Sequence, residues 1–414
     1  MSDLSSKTTP PVVTEVEKKV RPVVIWATAG GLLLALQIDV WTRWVTGPYF
    51  VRVPQGPSDP PMYMKTMLTI NAAAMVILLP LTVYWFLIRP WVRERRFTLD
   101  GLLFVSCALF FFQDPFLNYV NTWCTYNTWL WNRGSWSSHV PGWVSPEEPG
   151  RQVAEPLLIN ATGYGMVMFF AIAGCWLMRR MKNRWPGMSN LKLMLATYAA
   201  AIVLDFGLEA GFMLPFGLYT YPGAIRSVSV FADTYHQWPV YEGLMWGGVM
   251  TALACLRFFT DDRGRTIVER GLDQVRGGFA KQQFIRFLAI FAFTSSAFFF
   301  LYNVPAQWFA LHSDPWPADH QKRSYFNGGI CGDGSDSPCP DPILPIPTKR
   351  SGYIDTDGKL VLPDGAQVHS RPRLFDVPGL HVSRRRHAGV LHRANASLRC
   401  DVPGLRRHPE REAA

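Results

Sequence analysis

Four acidic residues stand where a carboxylate is costly to keep. Asp114 follows the apolar run GLLFVSCALFFF, Asp205 and Glu209 lie within AAAIVLDFGLEAGF, and Glu242 opens VYEGLMWGG. No Lys or Arg falls inside these stretches to neutralise them. Ionisable groups at membrane depth mark sites of chemistry more often than sites of packing. A carboxyl group sealed from water can lend a proton to a departing hydroxyl, take one from an attacking hydroxyl, or hold charge beside a cationic intermediate. Asp205 and Glu209 are four residues apart, as are Asp114 and Asn118, so each pair shares one helix face.

Polar companions accompany them. Gln113, Asn118, Asn160, Tyr241 and Asn303 are candidates to hold a substrate, and His236, in TYHQWPVYEG, to relay protons at the pocket mouth. Each also has a plainer role. Asn71, Asn160 and Asn303 suit hydrogen bonds between helices, Tyr241 suits an interfacial anchor, and a loop histidine suits solvent. Asp39 has Arg43 one turn away. Pro115, directly after Asp114, removes a backbone donor and loosens the helix beside the carboxylate.

The elements that must position these residues are membrane helices. The 414 residues are 49% hydrophobic and only 17% charged, and the apolar ones are gathered into blocks. Seven blocks, near 22–45, 66–89, 99–121, 156–178, 191–215, 239–260 and 283–305, reach the roughly 20 residues that a bilayer requires. The expected fold is all-α, a polytopic bundle of seven transmembrane helices over 21–305 with disordered termini. Lys and Arg cluster before the first block and after the second, fourth and sixth, which places the N-terminus in the cytoplasm and the C-terminus outside. With that alternation, every polar residue named above falls in the half of the bundle nearer the outer face.

The remaining segments are polar. Residues 1–20 read as a disordered cytoplasmic tail, and 306–365 as a Pro- and Gly-rich extracytoplasmic segment. Within it Cys331 and Cys339, in CGDGSDSPC, suit a small disulfide loop, and the spacing lacks the partners of a zinc site. Residues 366–414 form a basic disordered tail with DVPGL twice. From 371 onward ten Arg face four acidic residues, so six of the chain's +10 charges lie there, and the basic balance does not argue for nucleic acid. Five Trp in 122–155 suggest a lid on the membrane surface. Phosphate-binding loops, dinucleotide fingerprints, metalloprotease and hydrolase motifs are all missing, so neither cofactor nor metal is expected. The expected partners are an apolar small molecule and the bilayer.

The run FFQDPFLNYVNTWCTYNTW at 111–129, LDFGLEAGF at 204–212 and TYHQWPVYEG at 234–243 resemble the actinobacterial AveC-like membrane proteins, named after the avermectin spirocyclase. The resemblance covers roughly residues 20–365. It implies a membrane-bound protein and, as in the namesake, dehydration and spiroketal formation on a polyketide. On this reading Asp114 and Glu209 form the acid and charge-stabilising pair, with Glu242 or Asp205 as base and His236 at the mouth. Two alternatives use the same pocket: an apolar-ligand receptor or transporter, and a hydratase or isomerase of isoprenoid or sterol-like lipids. The last apolar block has no central Lys for a retinal Schiff base.

Overall fold

A computed structural model describes residues 21–48, 50–143, 154–328, 331–332, 339, 353–354 and 360–361. The N-terminal tail and the basic tail with its repeat lie outside the described residues. In chain order the main helices are α1 (Pro22–Thr46), α2 (Met62–Glu94), α3 (Leu99–Asn118), α4 (Leu157–Met166), α5 (Met168–Arg184), α6 (Asn190–Met213), α7 (Val240–Phe258) and α8 (Phe279–Leu311). Five of them, α1, α2, α3, α6 and α8, are long and apolar enough to cross a membrane. The fourth apolar block breaks at Val167 into α4 and α5, and the sixth forms α7, whose apolar run is diluted by Glu242 and by glycines.

Local chemistry sets the helix ends. Thr98 caps α3 by accepting from the Gly101 amide at 3.1 Å, and Ser189 caps α6 by accepting from Lys192. Asp100, in the first turn of α3, receives a two-pronged hydrogen bond from Arg257 at the far end of α7, at 2.7 and 3.0 Å. This clamp fixes α3 against α7 at the face where Lys and Arg collect. α3 is the centre of the bundle, with 67% of its apolar window buried against 6% for α2.

Four helices depart from regular pitch: α2 widens into a π turn over Tyr84–Ile88, and three others depart at the opposite side of the bundle. α3 tightens to a 3-10 helix over Phe111–Asn118, around Pro115. Carbonyls released there find side chains, since Trp136 Nε1 donates to Phe112 O at 2.8 Å and Gln307 Nε2 to Phe116 O at 2.8 Å. α6 widens into a π turn over Glu209–Met213, and α8 does the same over Phe299–Asn303.

Loops between the helices build a packed outer cap. Strands β1 (Thr125–Tyr126) and β2 (Tyr219–Thr220) pair antiparallel, as do β3 (Ser229–Val230) and β4 (Trp238–Pro239). Asn118 anchors the first loop to α3, accepting from the Trp123 and Cys124 amides at 2.8 and 3.0 Å and donating to Cys124 O at 2.8 Å. The tryptophans do not form a uniform surface lid. Trp123 and Trp136 are wholly buried while Trp131 is 57% exposed, because Trp123 packs on Tyr221 and Tyr241 and Trp136 on Trp44 and Phe111. Cys331 and Cys339 are joined by a disulfide, and Cys124 is a free, buried thiol.

Two substitutions test this packing. A Cβ on Gly30 of α1 would lie 2.1 Å from the Leu288 carbonyl of α8, whereas one on Gly31 would lie 3.9 Å from the nearest atom. Gly30→Ala is expected to cost about 1–3 kcal/mol and Gly31→Ala far less, read from thermal melts of purified protein. In the cap, His320 is fully buried and bonded through Nε2 to Thr220 Oγ1 at 2.9 Å. Burial pushes its imidazole from 6.5 down to about 3, so the folded cap holds it neutral. The unfolded chain takes up that proton below about pH 6.5, so this contribution is full above 6.5 and drains away as pH falls toward 3. His320→Gln is expected to flatten the fall in melting temperature across that window.

Candidate functional site

Beneath the cap, α4 to α8 enclose a cavity of about 170 Å³. Its walls are aromatic and aliphatic, with Phe170, Trp246, Met250 and Phe298 below and Cys124, Tyr126, Tyr219 and Tyr221 above. Asn71 and Met75 of α2 reach it from one side. The polar groups facing it include tyrosine hydroxyls, the Asn71 amide and three carboxyl groups.

Those carboxyls are Asp205, Glu209 and Glu242. One oxygen from each lies within 4.8 Å of the others, and no residue of the three is more than 7% exposed. The π turn takes part in this arrangement. Glu209 O accepts from the Leu214 amide at 2.9 Å, five residues on, so the side chain departs from the register of the regular helix before it.

Donors converge on Glu209. Tyr219 Oη donates to Oε1 at 2.5 Å, Tyr221 Oη reaches both oxygens at 3.1 Å, and Trp238 Nε1 donates to Oε2 at 3.1 Å. Three side chains thus donate to Glu209, and Glu209 also hydrogen-bonds Glu242. Glu242 accepts from Tyr302 Oη at 3.1 Å and hydrogen-bonds Asp205. Two carboxyl groups bond only when a proton lies between them, so the cluster holds protons between its members. Burial, with Glu209 alongside, raises the Tyr219 and Tyr221 hydroxyls well above their usual value and keeps them donors.

The other residues singled out in the sequence take separate places. Asp114 does not line the cavity but stands behind Tyr164, whose hydroxyl donates to Asp114 Oδ1. Gln113 donates to Ser295 O at 3.1 Å and accepts from Asn303 at 3.4 Å, which ties α3 to α8. Tyr241 accepts from the Ile225 amide at 3.0 Å and stacks on Phe309 at 3.9 Å, outside the lining. His236 sits between β3 and β4 beside Phe231 and Tyr235, also outside it, and burial lowers its imidazole from the usual value. Asn160 belongs to α4, and its side chain lies outside the described residues. Asp39 meets Arg43 at 2.6 Å at the exposed end of α1.

Several site residues carry no sequence signal of their own. Tyr126, Tyr164, Tyr219, Tyr221 and Tyr302 look like interfacial tyrosines, and Glu155 looks like one more loop acid. Glu155 is only 1% exposed and hydrogen-bonds Asp114. Burial, then the charge of Asp114, holds its carboxyl well above the usual range.

A family profile described as Spirocyclase AveC-like matches residues 94–326, more than half of the chain. No curated protein and no solved structure matches. The matched span runs from the start of α3 through the cap and includes every carboxyl group at the cavity.

Three clustered carboxyls can also hold a divalent cation. Here Tyr219, Tyr221, Trp238 and Glu242 already hydrogen-bond Glu209, which leaves it little room for one. Treating purified protein with a strong chelator is therefore expected to leave its melting temperature unchanged. A drop reversed by adding a divalent cation would show the opposite.

Proposed function

The chain belongs to the spirocyclase AveC-like family, and on that premise we propose that it is a membrane-embedded cyclase of an apolar, hydroxyl-bearing polyketide- or lipid-like substrate. The observation that carries this reading is the meeting of three buried carboxyl groups, Asp205, Glu209 and Glu242, at one largely apolar cavity. Closing a dihydroxyketone to a spiroketal with loss of water requires a proton for the departing hydroxyl and an anion beside the oxocarbenium ion. A proton held between Asp205 and Glu242 serves as the acid. Glu209, faced by Tyr219, Tyr221 and Trp238 as donors, serves as the charge stabiliser when ionised. We take the Asp205–Glu242 pair as the acid in place of Asp114, since Asp114 stands behind Tyr164 and is not part of the cavity lining.

An apolar substrate is supported by a second feature. A crevice of about 190 Å³ between α5 and α6, lined by Ala173, Gly174, Ala200 and Ala201, shares Phe170 and Met250 with the cavity. It offers a way in from the bilayer. We place all seven apolar blocks across the membrane, with the N-terminus in the cytoplasm. Lys and Arg gather at one face, and the cap with its Cys331–Cys339 disulfide suits the oxidising side.

The test uses membrane vesicles and a synthetic long-chain dihydroxyketone that can close to a spiroketal. Wild type is expected to convert it with loss of one water, read by mass. Asp205→Asn and Glu209→Gln are each expected to slow this by about 100-fold or more. Full turnover in both variants would discard the carboxyl cluster as the reacting group, and bound but unchanged ketone would support the receptor alternative.

A further inference from the structure

Three acids face the cavity, and among the described residues that line it none is Lys, Arg or His. Glu209 has donors of its own. Asp205 Oδ2 and Glu242 Oε2 are buried, and no hydroxyl, amide or indole donor among the described residues reaches either. Both side chains are 1% exposed and line the cavity. Buried oxygens left in that state are compensated by positive charge, and here the protein supplies none.

The wall beside them is aromatic. Phe298 and Tyr302, one turn apart on α8, lie nearly parallel with centroids 5.4 Å apart. Trp246 of α7 stands across both, at 5.7 Å and 76° from Phe298 and at 5.5 Å and 81° from Tyr302. Tyr164 of α4 stands across Trp246 in turn, at 6.3 Å and 83°, and is tilted by 64° from Phe298. All four rings line the cavity, and Tyr302 donates to Glu242. Tyr164, Trp246 and Phe298 thus turn their faces along three different directions, as the walls of a box do. Ring faces carry the negative side of the aromatic quadrupole, and a cation near them is attracted most strongly where water is excluded.

We propose that the cavity is a binding site for a lipophilic organic cation, with Trp246, Phe298, Tyr302 and Tyr164 as an aromatic cage and the Asp205 and Glu242 oxygens as counter-charge. This deepens the cyclase reading and rests on it for one point, that the cation formed in turnover is the oxocarbenium ion. A metal ion is a poorer match, because a hard divalent cation takes about six oxygen ligands and most of this wall is ring and hydrocarbon.

The crevice between α5 and α6 fits the other end of such a ligand. It shares Phe170 and Met250 with the cavity, and no charged residue lines it. The class of ligand that fits is therefore a compact, positively charged head on an apolar chain.

The probe is N-octyl-N-methylpiperidinium, a six-membered ring with fixed positive charge and no N–H to donate. The reference is octylcyclohexane, which has the ring and the chain without the charge. Dissociation constants are measured in lipid nanodiscs against the ligand concentration in the disc lipid, with empty discs subtracted. Wild type is expected to favour the piperidinium by about 10-fold or more. Equal affinities overturn the proposal, and that comparison needs no variant. Trp246→Leu is expected to cut the preference by about 10-fold and Trp246→Phe by much less, since a new ring restores a face to the cation. A preference unchanged in both Trp246→Leu and Phe298→Leu would overturn the cage as its source. Selective binding by a wild type that leaves the dihydroxyketone unclosed would keep the cage and sink the cyclase reading. Closure of the ketone with no preference for charge would do the reverse.

Discussion

Hydrocarbon cannot solvate a carboxylate, and much of the half of this protein beneath the cap answers that constraint. Glu209 is the strongest case. Its oxygens are met by two hydroxyls from the cap and an indole from β4. Asp205 and Glu242 answer the same constraint by hydrogen-bonding one another, and Asp114 by accepting from Tyr164. Removing one partner from such an arrangement leaves a buried group unsatisfied, which costs more than the bond itself contributed. The cap is therefore part of the site: Tyr219, Tyr221 and Trp238 lie in it.

Three departures from regular helix geometry fall at the level of the carboxyls. α3 tightens beside Asp114, α6 widens at Glu209, and α8 widens where Tyr302 faces Glu242. In α3 the freed carbonyls are satisfied by side chains, those of Trp136 and Gln307. At the opposite side, where Arg257 clamps Asp100, α2 has a π turn of its own over Tyr84–Ile88.

The sequence reveals the frame of this arrangement more readily than its interior. Apolar blocks show themselves because hydrocarbon thickness sets their length. Asp205, Glu209 and Glu242 stand out because an unpaired acid in such a block is anomalous, and the structure brings all three together. The tyrosines give no such warning, since Tyr164 or Tyr302 in an apolar run is equally at home at a headgroup. Glu155 is hidden for the opposite reason: its stretch, VSPEEPGRQVAEP, looks like any solvated loop. The break at Val167 is marked only by Gly163 and Gly165 just before it, which the apolar run around them masks. Trp123 and Trp136 mislead because an aromatic-rich loop reads as surface until the segments that close on it are known.

The π turn in α6 has an implication for how such a pocket can change. A π turn holds one residue more than the regular helix it interrupts, while the strand of chain entering and leaving keeps nearly the same path. Excising a single amino acid between Glu209 and Met213 would restore ordinary pitch and leave the chain on either side nearly where it is. Tyr219 and Tyr221, downstream of that point, would still arrive at the same place, and the aim of the side chains within the turn, Glu209 first, would change instead. Length variation of one residue here is thus a discrete dial on the chamber's polarity.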